Sequence, residues 1–238
     1  MLTSYDIKQM AAKKGCDLCG IASIDRFGEA PQGFHPADVL PVCKSVIVIA
    51  VKFLAGTVKC RTTVPYYVVR NALSERLDRI SVELCEELES KGAVAVPTGT
   101  IGPTEFDVKT GRYRNIVSAK HCAVAAGLGR IGRNTLLVTP QYGNMVWLSA
   151  VLSDLVLDPD PVLEGSPCPE NCRLCADICP VHAIGEPELK QIDCSNYAFG
   201  GENGGEYKIK CNKCRIICPN CFGAENSSLA QSETYLVS

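Results

Sequence analysis

The sequence predicts an α/β sandwich over residues 1–160, followed by a small cysteine-held module over residues 161–223. Three observations carry that expectation. Helix and strand periodicities alternate through the first two thirds of the chain. Ser45–Phe53 (SVIVIAVKF) is β-branched and almost continuously apolar, as a buried central strand is. Nine of the 15 cysteines fall between Cys168 and Cys221.

The elements follow in order. Ser4 caps a helix running through Lys14, with Gly15 as its stop. A mostly apolar strand, Asp17–Ile24, precedes a Pro/Gly-rich loop over Arg26–Pro41, and the Ser45–Phe53 strand comes next. Tyr67–Lys91 reads as a long amphipathic helix, its stripe formed by Val68, Ala72, Leu73, Leu77, Ile80, Leu84 and Leu88. Gly92 ends it before a short strand, Ala93–Pro97. Thr98–Asn115 reads as a polar loop, Ser118–Ala126 as an alanine-rich helix, and Thr135–Thr139 and Asn144–Ser153 as two further strands. The order of the strands is not legible in the sequence.

Asp158–Pro169, with four prolines and one glycine, is a linker. Beyond it come short apolar pieces, many cysteines and a glycine-rich loop at Gly200–Gly205. Such a segment cannot build a core from side chains alone. Ala224–Ser238 is polar and reads as a loosely held tail.

The net charge of -2 gives no reason to expect a nucleic-acid partner, and there is no basic tract for an anionic membrane. Met1–Lys14 lacks the apolar core of a secretory signal. The longest apolar runs, Ser45–Ala55 and Met145–Leu157, are interrupted by Lys52 and Asp154 and are too short to span a bilayer as helices. A soluble, cytoplasmic protein is expected. A disulfide scaffold suits a short secreted chain and not this one, so metal ligation is the better account of the cysteines.

The spacing is specific. One run is Cys168-x3-Cys172-x2-Cys175-x3-Cys179-Pro180, and the other is Cys194 followed by Cys211-x2-Cys214-x3-Cys218-Pro219. Two runs each closing on Cys-Pro are the signature of a two-cluster ferredoxin, in which the fourth cysteine of each run ligates the other cluster. That crossover gives one four-iron four-sulfur cluster to Cys168, Cys172, Cys175 and Cys218. The second takes Cys179, Cys194, Cys211 and Cys214, and Cys221 is left over. The alternative is a pair of zinc sites, but zinc ribbons do not normally repeat this spacing with a terminal Cys-Pro.

Other features are weaker. Gly127-Leu-Gly129-Arg-Ile-Gly132 matches a dinucleotide fingerprint, yet a helix precedes it and a strand follows, the reverse of the context that motif needs. Cys16-x2-Cys19 and the single Cys43, Cys60, Cys85 and Cys122 read as buried free thiols. His182 reads as packing beside a cluster, and His35 has no evident partner. His121, beside Lys120, is the histidine with catalytic possibilities.

The stretch Ala126–Gly143 (AGLGRIGRNTLLVTPQYG), with LSAVLSDLVLDPDP and the cysteine runs after it, resembles the epoxyqueuosine reductase family and the related core of the reductive dehalogenases. The resemblance implies a cobalamin held between a nitroreductase-like α/β sandwich domain and a two-cluster ferredoxin-like module. It also implies that Gly127, Leu128, Gly129, Ile131, Gly132, Asn134 and Thr135 line the corrinoid, the glycines allowing close approach of a flat macrocycle. Two positions depart from the family: Arg130 stands where tryptophan is usual, and no Asp-x-Ala-Pro proton-donor motif exists. Tyr113 falls near that donor's position, and Tyr113, Lys120 and His121 are the candidate acid or substrate-positioning groups. The expected partners are a low-potential electron donor protein and a small-molecule substrate or a corrinoid protein. Nucleic acid is unlikely on this reading, and a flavin in place of the corrinoid is a weaker option.

Overall fold

The computed structural model describes residues 2–102, 104–108, 112–185, 189–199 and 209–226. The Gly200–Gly205 loop and nearly all of the expected tail lie outside these residues.

Helix α1 (Ser4–Lys13) is capped by Thr3, not Ser4. The Thr3 hydroxyl accepts from Asp6 N and the Asp6 carboxylate accepts from Thr3 N, a reciprocal capping box. Ser4 instead donates to the Asp158 carbonyl at 2.8 Å. Gly15 does end the helix, at φ +93, where a side chain would be strained. Strand β1 (Leu18–Ser23) follows, and the expected loop contains a short helix, α2 (Pro36–Val39), capped by His35. His35 thus has a partner after all: its Nδ1 accepts from Ala37 N at 3.1 Å.

Strand β2 (Ser45–Lys52) is buried along all but its last residue. Helix α3 (Val64–Glu89) starts three residues earlier than the periodicity predicts, with a proline in its first turn. Leu73, Leu77, Ile80, Leu84 and Leu88 form its buried stripe, whereas Val68 is 58% exposed and Ala72 also faces water. Ser74 and Ser81 share the buried face because each finds a partner there, Trp147 Nε1 and Ser149 Oγ.

Strand β3 (Ala95–Pro97) is followed by a hairpin, β4 (Thr104–Asp107) and β5 (Arg112–Asn115), where a loop was expected. Helix α4 (Ala119–Ala125) leads through the glycine loop to a two-residue hairpin, β6 (Arg130–Ile131) and β7 (Leu137–Val138). The expected strand at Thr135–Thr139 shrinks to β7 because Thr135 sits at φ +60, outside the extended region. Strand β8 (Val146–Ser153) completes the main sheet, whose order is β1-β2-β8-β3 with every pair antiparallel.

Alternation along β2 divides the core. Ile47, Ile49 and Val51 face α1 and α3, joining Ile7, Leu77, Ile80, Leu84 and Leu88. Val46 and Val48 face α4, joining Cys122, Ala123 and Ala126. The result is a mixed α/β fold with helices on both faces of an antiparallel sheet.

The proline-rich stretch after β8 is pinned to the sheet. The Asp160 carboxylate ion-pairs with Lys8 and accepts from Ile21 N at 2.9 Å, and the Arg26 guanidinium donates to the Asp160 carbonyl at 2.6 Å. The cysteine-rich segment then forms α5 (Leu174–Asp177), α6 (Gln191–Phe199) and α7 (Lys213–Ile216). Its Ile209, Ile216 and Cys221 enter the same apolar cluster as Phe53 and Tyr66. The segment therefore shares part of the apolar core beneath the main sheet. Among the described residues no helix is long and apolar enough to cross a membrane.

Candidate metal centre

Cys168, Cys172, Cys175 and Cys218 line one small pocket, together with Arg133, Asn134, Pro169, Leu174, Pro219 and Asn220. The loop before α5 brings Cys168 and Cys172 there, α5 itself brings Cys175, and the turn after α7 brings Cys218 from the second run. Burial raises the Cys175 thiol, and nearby Cys168 and Cys172 raise it further. Burial likewise raises Cys218, which feels Cys168 and Cys175.

The other four also meet. Burial raises Cys194, on α6, and the adjacent Cys179 and Cys211 add to the shift. Cys211 feels Cys179 in turn. Burial pushes Cys214 up to about 12, with Cys211, Cys194 and Cys175 contributing in the same direction. Cys175, of the first set, is among the groups that raise Cys214.

Among the described residues no three histidine, cysteine or carboxylate groups converge as the ligands of one metal ion do. In a four-iron cubane each thiolate binds a different iron, so its ligands stand farther apart than those of a single ion. The donor set suits such a cluster: each group is thiol only, and backbone amides already address two sulfurs. Arg133 N donates to Cys168 Sγ and Ala183 N to Cys179 Sγ, both at 3.3 Å. Cys221, the leftover cysteine, is buried, and its thiol is pushed up to about 12 chiefly by that burial.

The glycine loop has a different physical basis from the expected one. A Cβ on Gly127, held at φ +71, would strike the Pro161 carbonyl, and one on Gly129 would lie 2.5 Å from the Val138 carbonyl. A Cβ on Gly132 would lie 3.0 Å from Asn134 Oδ1 and 3.5 Å from Cys168 Sγ. All three glycines are filled by the chain itself, so their small size is no evidence of a macrocycle. Leu128, Ile131 and Thr135 remain half-buried on this loop. Asn134 is buried and spans the junction: Oδ1 accepts from Leu136 N, and Nδ2 donates to the Cys214 carbonyl at 3.1 Å. Arg130 donates to the Glu164 carbonyl at 2.6 Å and keeps its Nε buried without a partner.

Lys120 Nζ donates to the Thr135 carbonyl at 2.6 Å. Burial, and then the nearby Arg215 guanidinium, hold its pKa below the ordinary value, while Cys194 and Cys214 oppose them. Lys120 thus lies within electrostatic reach of Cys194 and Cys214. His121 Nδ1 pairs with Ser118 Oγ at 2.6 Å, and desolvation followed by the Lys120 charge lowers its pKa. Tyr113 lies on β5 and is 46% exposed, and its backbone N–H donates to Gln191 Oε1 at 3.0 Å. Gln191 begins the helix that carries Cys194. Sequence reasoning missed Arg215, which is 5% exposed, because an arginine in a cysteine run gives no sign of burial.

An α/β sheet packed against a segment with two cysteine sets defines a cysteine-rich α/β scaffold. No family model matches the chain. The chain is 27% identical over 200 residues to an epoxyqueuosine reductase of Pseudomonas aeruginosa, covering 78% of this chain and 53% of that enzyme. It is 28% identical over 197 residues to a tetrachloroethene reductive dehalogenase of Desulfitobacterium hafniense, covering 80% and 32%. Among solved structures, the epoxyqueuosine reductase of Streptococcus thermophilus superposes with a TM-score of 0.63 at 18% identity, covering all of this chain and 69% of that one. An epoxyqueuosine reductase holding an epoxyqueuosine-modified tRNA stem loop superposes at 0.59 and 21% identity, covering 90% and 64%. A reductive dehalogenase of B12-dependent mechanism superposes at 0.65 and 18% identity, covering 95% and 33%. The chain is therefore epoxyqueuosine reductase-like and reductive dehalogenase-like, and it spans about half the length of the first of these curated relatives and a third of the second.

Proposed function

We propose that this chain is an iron–sulfur oxidoreductase that carries low-potential electrons through two four-iron four-sulfur clusters to a corrinoid that reduces a small substrate. Cys168, Cys172, Cys175 and Cys218 would hold one cluster, and Cys179, Cys194, Cys211 and Cys214 the other. The single observation that carries this reading is Cys218 of the second run lining the pocket of the first run's three cysteines, the crossover of a two-cluster ferredoxin. On this reading residues 1–160 form a nitroreductase-like domain and residues 161–223 a ferredoxin-like module.

When bound, the clusters supply one-electron carriage and the corrinoid a strongly reducing metal centre. The protein's own part is placement and charge. Asn134 ties the loop of residues 127–135 to the Cys214 peptide. Leu128, Ile131 and Thr135 are the loop side chains left available to a corrinoid. Lys120, beside Cys194 and Cys214, and Tyr113, beside the start of α6, would orient substrate or hold a proton near the second cluster. His121 is favoured in its neutral form, a hydrogen-bond partner before it is a cation.

A second reading is electron delivery to a corrinoid held by a partner protein, with no substrate of this chain's own. The self-filled glycines at 127, 129 and 132 favour it. A substrate borne on nucleic acid joins the candidates because a related reductase holds a tRNA stem loop, which weighs against the expectation drawn from net charge.

Anaerobic titration of the cluster-loaded protein with cobalamin separates these readings. A spectral shift to the base-off form supports the first. No response, with cluster oxidation upon adding a corrinoid protein, supports the second. A gel-shift with an epoxyqueuosine-bearing tRNA stem loop tests the nucleic-acid substrate in the same preparation.

A further inference from the structure

The turn that follows the glycine loop reaches a sulfur of the first cysteine set. Thr135 N donates to the Gly132 carbonyl at 2.8 Å and closes a β-turn whose central residues are Arg133 and Asn134. That turn aims the Arg133 backbone N–H at Cys168 Sγ, 3.3 Å away. Gly132 permits the approach, since a Cβ there would already stand 3.5 Å from the same sulfur. The Arg133 side chain donates to the Cys172 carbonyl at 3.0 Å, and Arg133 and Asn134 both line the pocket of Cys168, Cys172, Cys175 and Cys218.

The chain holds this turn in a strained form. Thr135 sits at φ +60, a left-handed conformation that β-branched residues rarely adopt. Strain of that kind persists only where the surroundings over-determine it. Here the Thr135 carbonyl accepts from Lys120 Nζ at 2.6 Å, Leu136 N donates to Asn134 Oδ1 at 3.2 Å, and Gly132 N donates to the Leu136 carbonyl at 2.9 Å. A thiol sulfur is a weak acceptor, and an ionised one makes the stronger, charge-assisted bond. The geometry therefore suits the thiolate of a cluster ligand better than a free thiol. Cys179, of the second set, receives the same kind of contact from within its own segment, where Ala183 N donates to its Sγ at 3.3 Å. Cys168 receives it from the α/β domain.

We propose that the Arg133 backbone N–H hydrogen-bonds the first cluster through Cys168 and raises the reduction potential of that cluster. The inference rests on the two-cluster reading above. Reduction adds one electron, taken from an external one-electron donor protein, and so one negative charge to the cluster. A donor on a ligand sulfur stabilises the more negative, reduced form. No proton is transferred, and Arg133 touches no reacting atom; its peptide is a positioning contact. Arg133 stands between Ile131 and Thr135, so the loop offered to a corrinoid is also the loop that sets the first cluster's potential.

The experiment compares Arg133→Lys with the same variant carrying the α-hydroxy acid of lysine at position 133, which replaces the N–H by an ester oxygen and keeps the side chain. Arg133→Ala keeps the N–H and removes the guanidinium. Each cluster-loaded protein is titrated potentiometrically and followed by electron paramagnetic resonance, and the first cluster's signal is the one that Cys218→Ala lacks. The ester should lower the reduced-to-oxidised ratio of the first cluster about tenfold at fixed potential, equivalent to about 59 mV for one electron, with the second cluster almost unmoved. Arg133→Lys and Arg133→Ala should stay close to wild type, because water and salt screen the exposed side chain. In wild type grown on ¹⁵N-labelled arginine, pulsed resonance should show a nitrogen coupling on the first cluster that Arg133→Lys lacks. An unmoved potential in the ester, equal shifts of both clusters, or a fall in Arg133→Ala as large as in the ester would overturn the inference. If the ester variant fails to load, the nitrogen coupling decides it, and its absence overturns the inference. A wild-type protein without two cluster signals instead sinks the two-cluster reading itself.

Discussion

The buried Asn134 side chain joins the α/β domain to the cysteine-rich segment by donating from Nδ2 to the Cys214 carbonyl at 3.1 Å while its Oδ1 accepts from Leu136 N at 3.2 Å. One amide therefore satisfies two backbone groups on two separate parts of the fold. Asn134→Ala leaves both unpaired at a buried site, a loss of roughly 1–3 kcal/mol. We expect a lower denaturant midpoint and faster loss of cluster absorbance under air. Unaltered values for both would show that the junction is held elsewhere.

Gly129→Ala should destabilise the chain by roughly 1–3 kcal/mol, since the new Cβ would lie 2.5 Å from the Val138 carbonyl in β7. Gly28→Ala is the control, because nothing stands within 4 Å of a Cβ there. Thermal melts of the two variants should separate clearly, with Gly28→Ala close to wild type.

Cysteine variants distinguish ligands from the leftover thiol. Cys218→Ala should lose the cluster of the pocket formed with Cys168, Cys172 and Cys175, so iron content falls by about half from the roughly eight irons that two four-iron clusters contain. Cys221→Ala should keep nearly all of its iron. Equal iron loss in both variants would contradict the ligand assignment.

Alkaline pH should weaken the fold through its buried thiols. Burial pushes Cys85 and Cys122 up to about 12 from an ordinary value of 9.0. Between those values the unfolded chain sheds the thiol protons and the folded chain keeps them, so folding stability falls as pH rises from 9 toward 12. Urea unfolding at stepped pH should show that decline, and Cys122→Ala should show a shallower one. A flat profile above pH 9 would mean these thiols ionise freely in the folded state.

Much of the scaffold was legible because its signals are local. β2 announced itself by a continuous β-branched run, and α3 by Leu73, Leu77, Ile80, Leu84 and Leu88 at helical spacing. What was not legible depends on contacts between distant parts of the chain. β8 inserts between β2 and β3, and no local pattern encodes that order. The hairpin of β4 and β5 hid in a polar stretch whose pairing makes no apolar stripe. His35 gave no sign that its ring would cap α2, because the cap exists only once Pro36 starts that helix. The glycines of the 127–132 loop suggested room for a ligand, but they make room for Pro161, Val138 and Asn134. Arg215 had no signal of burial in the sequence, because its burial depends on Phe53, Tyr66 and Asn144.

Iron and acid-labile sulfide analysis of anaerobically reconstituted protein, with low-temperature electron paramagnetic resonance of the dithionite-reduced sample, tests the central claim most directly. The account predicts about eight irons and eight sulfides per chain and two interacting four-iron cluster signals. Zinc in place of iron, or four irons or fewer after full reconstitution, would contradict it.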